Sequence, residues 1–282
     1  MQASPRAAGI PLANWNWKAV HAWIADRVDR RLSRSSCLHY LHRLGFVYKR
    51  PKKRLLKQDA VRRAAFVREY ALLQTIAART GAHIFFVDEA HFYADADLRG
   101  LWVLRGQPAL VDSTSPRWGE KVSYYSAVCL ETGTVEVMEL DGNSTAQTSV
   151  QFLQHLRAQH PEPLIVIWDN GPAHGGEPLR AYLRTPDLRV RLVRLPAYSP
   201  DYNADEAIWG WARAEATANT CFGTKAAVRD AVAAFFRSLG DRTVEVQRRC
   251  RTTLQVQAAA LHQEVAALLR EPQHVDSTLA LV

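Results

Sequence analysis

Apolar residues change their spacing several times along the chain, and each change marks an element. Across residues 18–28, Val20, Trp23, Ile24 and Val28 recur at helical intervals. A largely polar break over residues 30–34 follows, and Ser33 or Ser35 can cap what comes next. Residues 36–45 form a second short helix with Leu38, Leu41 and Leu44 on one side and a glycine stop. Residues 57–80 read as one long helix ended by Gly81. The period then drops. Residues 83–89 are an apolar strand ending in Asp88-Glu89. Residues 121–130 and 134–140, rich in β-branched and aromatic side chains, flank Glu131-Thr132-Gly133 as a hairpin. A helix over 145–158 leads to a second apolar strand, 163–170, ending in Asp169-Asn170. A short helix near 177–184, a strand over 190–195 and an Ala/Trp-rich helix complete the set, and spacing from Phe222 onward is mostly helical. This order predicts an α/β fold with a mixed sheet and flanking helices.

Composition narrows the class. A length of 282 residues suits one large domain or two ordinary ones, and 48% hydrophobic with 23% charged residues excludes a disordered chain. No apolar run reaches the roughly 18 residues of a membrane span, and the N-terminus has no secretory apolar core, so a cytoplasmic protein is expected, with no membrane partner. Cys37, Cys129, Cys221 and Cys250 are far apart and read as reduced structural thiols.

Charge changes the picture more. Residues 1–80 hold 17 Lys and Arg against 4 Asp and Glu, whereas the remaining 202 hold 19 against 24. A basic arm on a mildly acidic body predicts that one part docks on a polyanion. The two short helices fit a helix-turn-helix whose second helix offers Arg34, Ser35, His39 and Arg43 to duplex DNA. After it, Lys49, Arg50, Lys52, Lys53 and Arg54 would lie along the phosphate backbone as a basic wing, giving affinity and salt dependence rather than sequence choice.

The candidate chemistry lies in three acids. Two buried strands deliver Asp88 and Asp169 at their ends, and a strand-to-helix turn delivers Glu206. Ligand sites in open α/β sheets gather near such strand ends. Crowded carboxylates repel one another unless cations neutralise them, and hard oxygen donors select Mg²⁺ or Mn²⁺ over zinc. Two such ions about 3.5–4 Å apart can act on a phosphodiester. Adjacent strand residues point to opposite faces, so Asp88 and Glu89 cannot both face one metal pair. Asp205 and Glu206 stand where acids complement a helix dipole, and either could have that role alone.

The runs Val87-Asp88-Glu89, Trp168-Asp169-Asn170-Gly171-Pro172-Ala173-His174 and Leu195-Pro196-x-Tyr198-Ser199-Pro200-x-x-Asn203-x-x-Glu206 together resemble the DDE transposases of the mariner superfamily, in its bacterial insertion-sequence branch. The resemblance covers roughly residues 17–240. It implies a ribonuclease-H-like catalytic core over 82–220. Before it would come a small all-α or winged helix-turn-helix DNA-binding region over 1–56 and a linker helix over 57–81; a C-terminal helical region would fill 221–282. The family usually carries two helix-turn-helix units and this chain shows one. The resemblance makes Asp88, Asp169 and Glu206 the metal-binding acids, leaves Asp205 as the helix acid, and sets Asn170, His174 and Asn203 near the site. Ala204 departs from it, standing where relatives often carry proline. The implied activity is cleavage of the ends of an insertion sequence and joining of its 3′ ends to TA-containing target DNA. It would use two Mg²⁺ or Mn²⁺ ions and a homodimer that pairs both terminal inverted repeats, in the cytoplasm and associated with the nucleoid. The rivals are a decayed or truncated copy that only binds DNA, and a ribonuclease-H-type nuclease. Residues 94–120, with Arg99, Trp102, Arg105 and Arg117, could hold flanking DNA or be a structural loop, and Trp209 reads as core.

Overall fold

A computed structural model describes residues 4–28, 30–49, 57–114 and 120–268, with side chains as far as residue 262. The chain divides into two units, residues 1–54 and 55–282.

In the first unit, α1 (Trp17–Val28) and α2 (Arg34–Arg43) pack on each other. Asn16 Oδ1 accepts from the Ala19 N–H at 3.0 Å, and Ser33 Oγ accepts from the Ser36 N–H at 3.1 Å, so each helix starts on a polar cap. Ser33, not Ser35, is the cap of α2. Ala19, Val20 and Cys37 are buried; along the apolar stripe expected of α2, Leu38 and Leu41 are half-buried and Leu44 is 71% exposed. The described residues of this unit contain no β-strand.

The second unit opens with α3 (Ala60–Thr80), whose first turn is capped by Asp59 and whose end is set by Gly81 at φ +70. It buries Phe66, Tyr70, Leu73 and Ile76, and packs on β1 and α9. The rest runs β1 (His83–Tyr93), β2 (Lys121–Cys129), β3 (Val135–Leu140), α4 (Ala146–Gln159), β4 (Leu164–Trp168), α5 (Glu177–Leu183), β5 (Val190–Arg194), α6 (Glu206–Ala212), α7 (Lys225–Ser238), α8 (Thr243–Arg249) and α9 (Thr253–Leu268). The sheet order is β3-β2-β1-β4-β5, with β1, β4 and β5 parallel and β2 antiparallel to both neighbours. This is the mixed sheet with flanking helices that the element order implied, and the ribonuclease-H-like core that the resemblance implied.

Alternation along β1 divides the core. Ile84, Phe86, Ala90 and Phe92 face α3 and the helices after β5, with Trp209, Val228, Val232, Val246 and Leu254. Phe85 and Val87 face α4 and α5, with Phe152, Leu153, Leu156, Trp168 and Leu179. Each such apolar side chain contributes about 1.5–3 kcal/mol on burial. Trp209 is core, at 1% exposure.

One expectation needs correcting. β1 does not end at its acids. Its antiparallel pairing with β2 continues to Tyr93↔Lys121, whereas its parallel pairing with β4 stops at Phe86↔Ile167. Asp88 therefore sits in mid-strand, just past the point where one edge of β1 loses its partner. Residues 94–114 contain no helix or strand; an isolated bridge joins Asp97 to Ala218, and Trp102 is fully exposed.

Candidate active site

Where β4 ends, the turn before α6 takes its place beside β1. Asn203 Nδ2 donates to the Val87 carbonyl at 3.0 Å, and Asn203 Oδ1 accepts from the Asp205 N–H at 3.2 Å. Both residues are buried. A backbone carbonyl that the sheet no longer pairs is thus satisfied by a side chain, as buried polar groups require. The same turn is pinned from α3, where Arg63 forms a two-pronged pair with Asp201 at 2.9 and 2.7 Å and stacks on Tyr202 at 3.8 Å. That contact holds Asp201 below the usual carboxylate range. Gln58 Nε2 donates to the carbonyl of Tyr198, a non-glycine residue at φ +59.

These anchors bring three distant motifs to one place. Asp88, Asp169 and Glu206 line a single 480 Å³ cavity together with Asn170, Gly171, Tyr198 and Asn203. Asn170 closes another wall by donating from Nδ2 to the Leu195 carbonyl at 2.7 Å.

Asp205 is not the helix acid. It occupies the N-cap position of α6, yet its side chain caps nothing. Its carboxylate is fully buried and accepts from Ser126 Oγ at 2.5 Å, while Oδ1 has no full partner. The cause is legible in the helix itself: Asp205, Ile208, Trp209 and Ala212 share the buried stripe of α6. Glu206, one position on, opens to the cavity instead.

Asp169 stands at the end of β4. Its Oδ1 accepts from the Gly171 N–H at 2.8 Å, and Arg194 Nη1 donates to its backbone carbonyl at 2.7 Å. Arg194 also donates through Nη2 to the carbonyl of His174. His174 is fully buried, stacked on Trp168 with ring centroids 4.2 Å apart. Of the residues expected near the site, Asn170 and Asn203 line the cavity and His174 lies behind Asp169.

The electrostatics are those of crowded acids. Burial, then the charges of Asp205, Glu206 and Glu89, push Asp88 up to about 9. Asp205 is raised well above its ordinary value, chiefly by burial. Glu206 is solvent-accessible along the cavity, yet surrounding protein still lifts its pKa, opposed by Arg213 and reinforced by Asp169. Among the described residues no three His, Cys, Asp or Glu side chains already close around one coordination point. The donor set nevertheless fits a hard divalent cation: oxygen-only, clustered, and costly to ionise without one.

In the first unit Arg34, Ser35, His39, Arg43 and Lys49 are all exposed. Arg50, Lys52, Lys53 and Arg54, like Arg117, lie outside the described residues. Among the described residues no helix is long and apolar enough to cross a membrane.

Two family models match the chain. The family described as DDE superfamily endonuclease matches residues 83–229, and the winged helix-turn-helix family matches residues 13–70. No curated protein matches the chain. Among solved structures, the Mos1 mariner paired end complex with Mn is 19% identical, covering 86% of this chain and 73% of that one, with a TM-score of 0.60. The paired end complex with Mg is 18% identical, covering 89% and 79%, at 0.58. The Mos1 strand transfer complex is 18% identical, covering 88% and 79%, at 0.54. At such identities the likeness speaks for the fold. The family match spans the strands and turns that carry all three acids, and the chain belongs to the DDE endonuclease superfamily.

Proposed function

We propose that the chain is a DNA transposase of the mariner superfamily, in the bacterial insertion-sequence branch, and that Asp88, Asp169 and Glu206 are its metal ligands. The observation that carries this reading is the convergence of three acids, from motifs more than 30 residues apart, on one cavity of a DDE-family core. Mg²⁺ or Mn²⁺ fits the donor set, and two bound ions would neutralise the phosphodiester and ease deprotonation of the attacking oxygen.

The chain's own residues have distinct tasks. Asp88, fixed in mid-strand, and Glu206, aimed by the Asn203 anchor, hold one side of the site, and Asp169 holds the other. The exposed cations Arg34, Arg43 and Lys49 grip DNA phosphates, with Arg50, Lys52, Lys53 and Arg54 extending the grip. Water attacks the phosphodiester at the element's end and frees a 3′-hydroxyl. That hydroxyl attacks a target phosphodiester, forming one P–O bond as another breaks, with no covalent protein intermediate. A homodimer that pairs both terminal repeats and inserts at TA completes the reading.

The test is strand cleavage of DNA carrying the element's flanking ends, with Mn²⁺ or Mg²⁺, comparing wild type with Asp169→Asn. Cutting by wild type alone supports the assignment. Equal cutting by both overturns the role of Asp169. DNA binding without cutting marks a protein that only binds DNA, and preferential digestion of RNA–DNA hybrids would mark a ribonuclease-H-type nuclease.

A further inference from the structure

Glu89 lies on the face of β1 opposite Asp88, with Val87 and Phe85, and so looks excluded from the site. It is not isolated from it. Its Oε2 stands 2.9 Å from His174 Nε2, and the same nitrogen stands 3.2 Å from Asp169 Oδ1. The ring N–H meets neither oxygen in full hydrogen-bond alignment, and Nε2 and Glu89 Oε2 are both buried without another partner. Both carboxylate oxygens thus converge on this one ring nitrogen.

The ring itself has little freedom. It stacks on Trp168, meets Tyr125 edge-on at 5.9 Å, and its Nδ1 lies 3.4 Å from Ser149 Oγ. Ser149 Oγ in turn donates to the Ala173 carbonyl at 2.8 Å. Gly171 leaves room for the contact: a Cβ there would stand 2.9 Å from His174 Cδ2, 3.0 Å from Nε2 and 3.1 Å from Asp169 Oδ1. Beyond its bond from the Gly171 N–H, Asp169 is half exposed at a strand end, where a carboxylate has several rotamers to choose from.

We infer that Glu89 is a positioning residue for the metal site. Through the Nε2–H of His174 it forms a clamp from the far face of the sheet that fixes the carboxylate of Asp169. The clamp rests on the reading of Asp169 as a metal ligand, and outer partners that orient ligands typically alter metal affinity 10–100-fold.

Three variants of the full chain test it: Glu89→Ala, Glu89→Gln and Gly171→Ala. The glutamine keeps an acceptor for Nε2–H. The alanine at 171 has an unstrained backbone, φ −56, and displaces the clamp by contact alone. Two readouts are needed. Imidazole ¹⁵N spectra of metal-free protein should show His174 held as the Nε2–H form in wild type and Glu89→Gln, and released in Glu89→Ala and Gly171→Ala. Mn²⁺ titration by calorimetry should show affinity about 10–100-fold weaker in both alanine variants, with Glu89→Gln regaining most of it. Melting in EDTA identifies any variant that has lost its fold, leaving the other alanine variant to decide. Unchanged Mn²⁺ affinity in the folded alanine variants overturns the clamp, as does a His174 signal indifferent to position 89. If wild type itself fails to bind Mn²⁺, the metal-ligand reading falls instead, and the imidazole spectra still decide whether Glu89 holds His174.

Discussion

The two units solve opposite problems with the same kinds of residue. In the core unit, polar side chains are buried and tied: Asn203 to Val87, Asp205 to Ser126, His174 between Glu89 and Asp169. In the first unit the polar and basic side chains Arg34, Ser35, His39, Arg43 and Lys49 point to solvent, and few residues there are fully buried. On the proposed function, carboxylates that share a cation would need positions fixed to a fraction of an ångström, and buried hydrogen bonds would supply that. Cations that follow a phosphate backbone would need reach and solvation, as a thinly packed helical pair offers. The difference is one of precision against adaptability.

The sharpest way to break the comparison is at the acids. Asp88→Asn and Glu206→Gln, like Asp169→Asn, are each expected to lower metal-dependent cleavage at least about a thousandfold, because every tenfold is about 1.4 kcal/mol and a lost ligand removes several. Single-turnover cleavage on pre-cut and intact ends would measure it. A loss of less than tenfold at any of the three would remove that residue from the ligand set.

The second test is pH dependence without metal. Burial and neighbouring acids hold the Asp88 proton on up to about 9, whereas in the unfolded chain the carboxyl titrates near 3.8. Between those values the native state carries a proton that the unfolded chain has lost, so stability falls as pH rises. Asp205, raised in the same direction, steepens the trend. Melting in EDTA across pH 5–9 should show the decline, flattened in Asp88→Asn. A melting temperature that climbs over this window would show that these acids are ionised without a cation.

The next effect is smaller and structural. Asn203→Ala strands the buried Val87 carbonyl and should cost about 1–3 kcal/mol. Asp205→Ala strands Ser126 Oγ and should cost a similar amount, about 1–3 kcal/mol. Asp205→Asn should cost less than Asp205→Ala, since an amide oxygen can still accept from Ser126 Oγ. Chemical denaturation of the three variants checks the set, and equal losses in Asp205→Ala and Asp205→Asn would mean that the charge itself is needed.

Much of this was legible in the chain. Hydrophobic periodicity located all five strands and most helices, and the family resemblance chose, among the neighbouring acids, the three that line the cavity. The misses have physical causes. β1 read as ending at Asp88-Glu89 because its apolar run ends there, but its length is set by β2, where Asp88 pairs with Ser126 and Tyr93 with Lys121. Asp205 read as a dipole acid because acids in first turns usually are; the spacing of Asp205, Ile208, Trp209 and Ala212 carried the contrary signal. Strand alternation separated Asp88 from Glu89 and the resemblance chose Asp88; neither signal reaches His174, which meets Glu89 on the other face. Leu44 followed the apolar period of α2 and is nonetheless exposed, because periodicity states which side chains could be covered and not whether anything covers them.

The smallest expected effect lies in the basic arm, and it tests the other half of the comparison. Arg34 and Arg43 are exposed on α2, so replacing either with alanine should leave stability within about 0.5 kcal/mol of wild type. If each contacts one phosphate, the slope of log affinity against log salt should fall by about 1 per substitution, on specific and random duplexes alike. Fluorescence anisotropy over a salt series, with melting in parallel, separates the two quantities. An unchanged slope would remove these arginines from the DNA surface. A melting loss as large as that of Asn203→Ala would mean that α2 is held by its charged face, and the contrast between a tied core and a solvated arm would no longer stand.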